Sequence, residues 1–417
     1  MRRVVILGAG TAGTMMANKL RGRLSPADWT ITVIDRDDEH VYQPGLLLLP
    51  FGTYRPEDIV RQRTPLLDAG IELRFAEIDR IDPAQKVVAL TPSGPDRSTD
   101  AVRLSYDILI VATGCRIEPE ATPGLAGVGW YEHMFDFYTL DGSTQLARAL
   151  EDFQGGRVVV HVADMPIKCP VAPLEFAFLA DAFFEKRGLR SKVEIEFVTP
   201  LDGAFTKPKA SAVLGDMMSQ RNIGVETDFS VASVDGEKKT ITGFDGREIP
   251  FDLLVTVPLH FGSSAVAASG MGDHAEFLPT DKHTLAAVGH EGIFALGDVT
   301  DLPTSKAGSV AHFQAEVLVE NVIRFIDERD LLPAFDGHSN CFIETGHGKA
   351  ILIDFNYETE PLPGRFPLPG IGPFSLLEES QINHWGKLGF KWVYWNLLVR
   401  GKELPLDHRM VMAGKRA

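Results

Sequence analysis

Three cysteines, Cys115, Cys169 and Cys341, are the residues of this 417-residue chain best suited to redox chemistry. Three are too few for a disulfide scaffold, and none belongs to a C-x-x-C pair, so no metal site is expected. Cys169 stands in Lys168-Cys169-Pro170-Val171-Ala172-Pro173-Leu174-Glu175, and Cys341 in Asn340-Cys341-Phe342-Ile343-Glu344. Taken singly, each reads as a small buried hydrophobe. Glu175 falls in the first turns of a following helix, where it either moves protons for sulfur chemistry or is a solvated helix acid. Lys168 either favours the thiolate of its neighbour or points into solvent.

The elements that must position these residues are marked by apolar runs and glycines. Val4-Val5-Ile6-Leu7 reads as a buried parallel strand. It leads into Gly8-Ala9-Gly10-Thr11-Ala12-Gly13 and a helix-compatible stretch to Leu20, and a second strand, Trp29 to Ile34, ends at Asp35. This is the G-x-G-x-x-G pattern with an acid about 20 residues on. The first glycine permits a tight turn, the second admits a pyrophosphate and the third lets helix pack on strand, while the helix N-terminus attracts negative charge. Asp35 would accept from ribose hydroxyls. Two later strands end in Ala112-Thr113-Gly114 and in Gly297-Asp298. Between them lies a second βαβ unit: strand Gly156 to Val162, helix Pro173 to Lys186, strand Lys192 to Val198. Its turn, Ala163-Asp164-Met165-Pro166-Ile167-Lys168-Cys169-Pro170, has no glycine, so side chains keep its backbone away from a phosphate. A cysteine stands where a nicotinamide-binding relative would carry a phosphate loop.

The three glycine-marked stretches resemble the flavoprotein reductases with two dinucleotide-binding domains. The Cys-x5-Glu of Cys169 and Glu175, together with Cys341-Phe342, extends the resemblance over nearly the whole chain to the sulfide:quinone oxidoreductases. That resemblance implies an α/β fold with two Rossmann-like domains and a C-terminal membrane-attachment module. The FAD-binding domain would comprise residues 1–114 and 285–330, the second domain 115–284, and the quinone and membrane module 331–417. FAD would contact Gly8, Gly10, Thr11, Ala12, Gly13, Asp35, Arg36, Pro44, Ile78, Thr113, Gly114, Gly297, Asp298, Lys306 and Gly308, with Asp298 at its ribityl and pyrophosphate part. Cys169 and Cys341 would form the redox pair, with Glu175 as its proton carrier. Hydrosulfide would open a disulfide or longer sulfur bridge between them, and Cys341 would face the flavin. Phe342 and Lys391 would border a quinone, ubiquinone or menaquinone. Bacterial members often carry a third cysteine in the segment that here reads Tyr131 to Asp136, which has none, and Cys115 is not given that role. As a pair that the flavin fold brings together, Cys169 and Cys341 favour a redox role over packing.

The end of the chain points to the electron acceptor. Residues 361–374 are rich in proline, hence no helix, yet apolar for a loop. Trp385, Leu388, Trp392, Trp395 and Val399 then recur at helical spacing beside a polar stripe of His384, Lys387 and Lys391. Trp385, Trp392, Tyr394 and Trp395 suit a headgroup boundary. From Gln381 on, seven basic residues (Lys387, Lys391, Arg400, Lys402, Arg409, Lys415 and Arg416) face Glu403 and Asp407, and each cation near an anionic surface adds about 1 kcal/mol. Peripheral attachment to the cell membrane is therefore expected, with lipid as a partner. No apolar run is long enough to span a bilayer, and no signal peptide is read ahead of the glycine motif. The net charge of −16 repels nucleic acid. Self-association is left open by the sequence. A type II NADH:quinone dehydrogenase would need the missing second glycine loop. The flavoprotein subunit of a flavocytochrome c sulfide dehydrogenase has no need of the aromatic, basic tail, and a non-enzymatic flavin sensor has no use for the cysteine pair.

Overall fold

The structure, a computed structural model, describes residues 1–93, 102–368, 370–404 and 406–416. Pro369 of the proline-rich segment and Ala417 of the tail lie outside the described residues.

The first unit is built from β1 (Arg2–Leu7), α1 (Thr11–Arg21), β2 (Trp29–Asp35), β3 (Ile71–Asp82), β4 (Val87–Pro92), β5 (Val102–Ser105) and β6 (Ile108–Val111). Val4 to Leu7 are fully buried, because a parallel strand covered on both faces must be apolar on both. A Cβ on Gly8 (φ +93°) would lie 2.5 Å from the Ala112 carbonyl oxygen, and one on Gly13 only 1.8 Å from that of Gly8. Only glycine at both lets α1 rise directly off the end of β1.

The second unit contains β7 (Met134–Phe135), α2 (Leu140–Asp152), β8 (Gly156–Val162), α3 (Ala172–Lys186), β9 (Val193–Val198), α4 (Pro208–Gln220), β10 (Ile223–Glu226) and β11 (Leu253–Val257). Its five strands are parallel in the order β7-β11-β8-β9-β10. The chain then returns to the first unit. There β12 (Ile293–Ala295) pairs with β6 and completes a sheet of order β12-β6-β1-β2-β3-β4-β5, and α5 (Gly308–Ile326) packs on α1.

The last module is a four-stranded sheet, β13 (Ser339–Gly346), β14 (Lys349–Phe355), β15 (Gly364–Leu368) and β16 (Gly372–Leu376), followed by α6 (Gln381–Val393). The proline-rich segment, expected as a loop, is instead an antiparallel β15–β16 ribbon. Pro367 sits opposite Pro373, on the edge strand and on a part of β16 that pairs with no other strand, which are the places where a missing N–H is tolerated.

A π-helical turn, Tyr394–Leu398, continues α6. It breaks the expected stripe of aromatics, since a π turn inserts an extra residue and rotates those that follow. Trp385 (67% exposed) and Trp392 (62%) face outward, but Tyr394 and Trp395 are buried against the first unit. The Tyr394 hydroxyl lies 2.7 Å from Thr11 Oγ1 and 2.7 Å from His40 Nε2. Asn18 Nδ2 donates to the Val399 carbonyl at 2.8 Å. The basic tail is also partly corrected: Lys387 and Lys415 are buried in ion pairs, the latter with Asp354 at 2.6 Å, and so are withdrawn from any lipid surface.

Candidate functional site

The cofactor side is organised by the first glycine loop. A Cβ on Gly10 would meet nothing within 4 Å, so there is open space ahead of α1, where the helix N-terminus attracts phosphate. Ala12 packs against Gly297 (φ +76°), whose added Cβ would lie 3.1 Å away, so the first glycine loop and the Gly-Asp loop meet. Thr113 Oγ1, at the end of β6, is buried with no partner in the protein, as expected of a group that bonds a ligand. Burial pushes the Asp298 carboxyl up, and Lys306 and Lys168 oppose that shift. These features fit a bound dinucleotide such as FAD, which would supply a two-electron oxidation.

Other expected contacts fall in varied settings. Asp35 accepts from the Ala9 amide at 2.6 Å and pairs with Arg63 at 2.5 Å, so Arg63, which no motif marks, fixes its carboxylate. Lys306 Nζ donates to the carbonyls of Asp298 and Thr300, stapling the Gly-Asp turn from beneath. Pro44 opens a short helix, Gly114 (φ +69°) forms the turn after β6, Gly308 opens α5 beside Thr11, Ile78 packs into the first sheet and the Arg36 side chain is exposed.

The sulfur side is stitched to the same loop. Cys169 occupies left-handed backbone (φ +45°), a conformation that costs a side-chain-bearing residue about 1 kcal/mol or more. It persists because the Cys169 amide donates to the Lys306 carbonyl at 2.8 Å and Lys168 bridges Lys306. Cys341 is buried on β13, and its start is tied by Ser309 Oγ donating to the Asn340 carbonyl at 2.8 Å. Both cysteines are thus held by the segment that runs from the Gly-Asp turn into α5, and both belong to one apolar cluster. All three cysteines are free thiols.

Burial pushes the Cys169 thiol well up, with Glu175 and Cys341 adding to it and Lys387 opposing. It pushes Cys341 up to about 12, with Glu175 again the next influence. Two thiols held protonated need a base, and the acid that faces both is Glu175. Glu175 is fully buried, not a solvated helix acid, and burial raises it to about 7 against the pull of Lys387. Its Oε2 accepts the Glu344 amide at 2.8 Å and pairs with Lys387. Burial works to lower Lys387, but Glu175, Glu344 and Cys169 prevail and hold it charged.

The cation beside the thiols is therefore Lys387, whereas Lys168 lies over the Tyr138 ring. Lys387 also donates to the Phe342 carbonyl at 3.2 Å, and the Phe342 ring meets Phe374 at 5.3 Å against Gly386 of α6. Lys391 rests 4.1 Å above the Tyr54 ring instead. Sequence reading missed the role of Lys387 because one polar stripe, spaced at a helical period, did not say which lysine faces inward. Cys115 lies apart, raised to about 12 by burial and then by Asp298. Among the described residues, Asp181, Glu185 and His347 come close enough to share an ion, but Asp181 is already paired with Arg190 at 2.5 Å.

Residues 2–316 match the family described as pyridine nucleotide-disulphide oxidoreductase. The chain belongs to that family. Within it, the chain is similar to the mitochondrial sulfide:quinone oxidoreductase of Mus musculus, 25% identical over 95% of this chain and 86% of the mouse protein. It is also similar in fold to the solved sulfide:quinone oxidoreductase of Aquifex aeolicus, with a TM-score of 0.78 and 20% identity over 96% of this chain and 92% of that one. The type II NADH:quinone oxidoreductase of Staphylococcus haemolyticus is 28% identical, but over only 36% of this chain and 34% of its own. Among the described residues no helix is long and apolar enough to cross a membrane.

Proposed function

We propose that this chain oxidises hydrosulfide at Cys169 and Cys341 and delivers the two electrons, by way of FAD, to a membrane quinone. The observation that carries this reading is Cys169 in a turn where a nicotinamide-binding domain would need glycines, held with Cys341 by the one segment that follows the Gly-Asp turn, with the buried carboxyl of Glu175 close behind it on α3 and paired with Lys387. In the oxidised state the two sulfurs are joined directly or through further sulfur. Hydrosulfide attacks one sulfur, the S–S bond breaks, a persulfide forms there and the other cysteine leaves as thiolate. Glu175 holds or yields the proton that each sulfur loses or regains, and Lys387 keeps its carboxyl aimed by pairing with it. Phe342 and the inner face of α6 border the quinone, with Lys387 bonded to the Phe342 carbonyl and Lys391 over the Tyr54 ring.

Under anaerobic conditions hydrosulfide is expected to bleach the flavin within seconds and NADH to leave it oxidised. Bleaching by NADH without bleaching by hydrosulfide would replace this reading with the NADH dehydrogenase one.

We further propose that the surface carrying Ile382, Trp385 and Trp392 of α6, with Leu368 and Ile371 of the β15–β16 ribbon, rests in a lipid headgroup layer. Ile371 is 81% exposed, and such apolar exposure on neighbouring elements marks an interaction surface. Replacing Trp385 and Trp392 together by Ala is expected to weaken co-sedimentation with anionic vesicles by about tenfold or more, the factor that corresponds to about 1.4 kcal/mol. Unchanged vesicle binding would rule the surface out.

A further inference from the structure

Oxidation of hydrosulfide by a quinone leaves a proton deficit. Hydrosulfide brings one proton and two electrons, whereas the quinol formed holds two protons, so HS⁻ + Q + H⁺ gives S⁰ + QH₂ and one proton must be imported at each turnover. The buried pair of Glu175 and Lys387 is sealed from solvent on its own helices, with side chains 1% and 11% exposed. A second pair extends it outward. Glu344 lies three residues after Cys341 on β13, is 2% exposed and donates its amide to Glu175. Its carboxylate oxygens lie 2.9 and 3.0 Å from His384 Nδ1, one turn before Lys387 on α6. The His384 side chain is 21% exposed, so this pair runs from the interior to the surface. The ring is also in edge contact with Trp385, a residue of the lipid-facing set.

We propose that His384, acting through Glu344, is the proton inlet of the quinone side: the imidazole takes a proton from water and passes it to the Glu344 carboxylate, which relays it toward Lys387 and Phe342. An imidazole suits the task because it changes charge near neutrality and offers two nitrogens, one to receive and one to release. Glu344 of β13 bonds the ring, Glu175 of α3 accepts the Glu344 amide and pairs with Lys387 of the same helix as His384, and Lys387 and Glu344 both act on Tyr54. At the cap of α6, Glu379 is held by Arg221 and Lys349. The proposal rests on the sulfide:quinone reading.

The test is His384→Gln, which keeps the size and a hydrogen bond but carries no proton, with Glu344→Gln as a second variant should the first fail to fold. In stopped flow, hydrosulfide should bleach the variant's flavin within about twofold of the wild-type rate. Quinol formation should be at least tenfold slower, fall more steeply as pH rises, and recover when imidazole is added to the buffer. Wild-type quinol formation at every pH, or a loss that imidazole does not restore, would overturn the proposal. Failure of hydrosulfide to bleach the wild-type flavin would instead overturn the function on which it rests.

Discussion

Cys169→Ser and Cys341→Ser are each expected to lower hydrosulfide-dependent quinone reduction by about a thousandfold or more, while both variants keep their full complement of FAD. The size follows from the chemistry. Thiol–disulfide exchange needs two sulfurs, and residues that act as one unit lose nearly everything when either is removed. Retained flavin follows from the geometry, because Cys169 meets the Gly-Asp segment through its backbone amide, which a serine keeps. Cys115→Ser should leave turnover within about twofold, since its thiol stands outside the Glu175 cluster. Purified variants assayed for flavin absorbance and steady-state turnover decide the matter. Turnover at wild-type rates in both Cys169→Ser and Cys341→Ser would mean that the sulfur pair is not the electron donor.

Glu175→Gln is expected to slow flavin bleaching by hydrosulfide about a hundredfold and to remove a pH inflection near 7 from that step. The same carboxyl links to stability. Burial raises it from 4.5 to about 7, so the folded state holds its proton more tightly than the unfolded state does. Its contribution to stability is therefore complete below about 4.5 and is lost as pH rises through about 7. Glu175→Gln should flatten that part of the stability profile. Lys387→Met removes the cation that holds this carboxyl down, so it should carry the loss of stability to higher pH and steepen it there, toward the cost of about 3–5 kcal/mol for an unpaired buried carboxylate. Urea titration of the three proteins at pH 5 and about pH 8 separates these outcomes. A wild-type-like pH profile of bleaching in Glu175→Gln would remove Glu175 from the proton chemistry.

Much of the fold was legible because backbone necessity leaves marks in the sequence. Gly8 and Gly13 are required where backbone segments nearly touch, and Val4 to Leu7 are apolar because both faces of the strand are covered. The pairing of Cys169 with Cys341 came from resemblance, and their common tether, residues 305–309, has no motif of its own. What stayed hidden was facing. Lys387 and Lys391 are four apart on one helix and lie close together on its surface, yet one closes a buried ion pair and the other covers a tyrosine ring. Likewise the π turn at Tyr394 shifts Trp395 out of register with Trp392, and no side-chain pattern announces such an insertion. The β15–β16 ribbon was hidden by its prolines, which read as breakers but sit where no ladder partner is needed.

The bond network at Tyr394 has a mechanical consequence. The helix proposed to face lipid runs on into a hydroxyl clamped between Thr11, at the rim of the pyrophosphate loop, and His40, which burial keeps uncharged. A bilayer pulling on α6 would therefore pull on the dinucleotide cradle itself. On the proposed lipid contact, anchor and cradle would ride as one body, and the height of the redox centre above the lipid would be a built-in dimension of the chain, with no tether whose length must be searched.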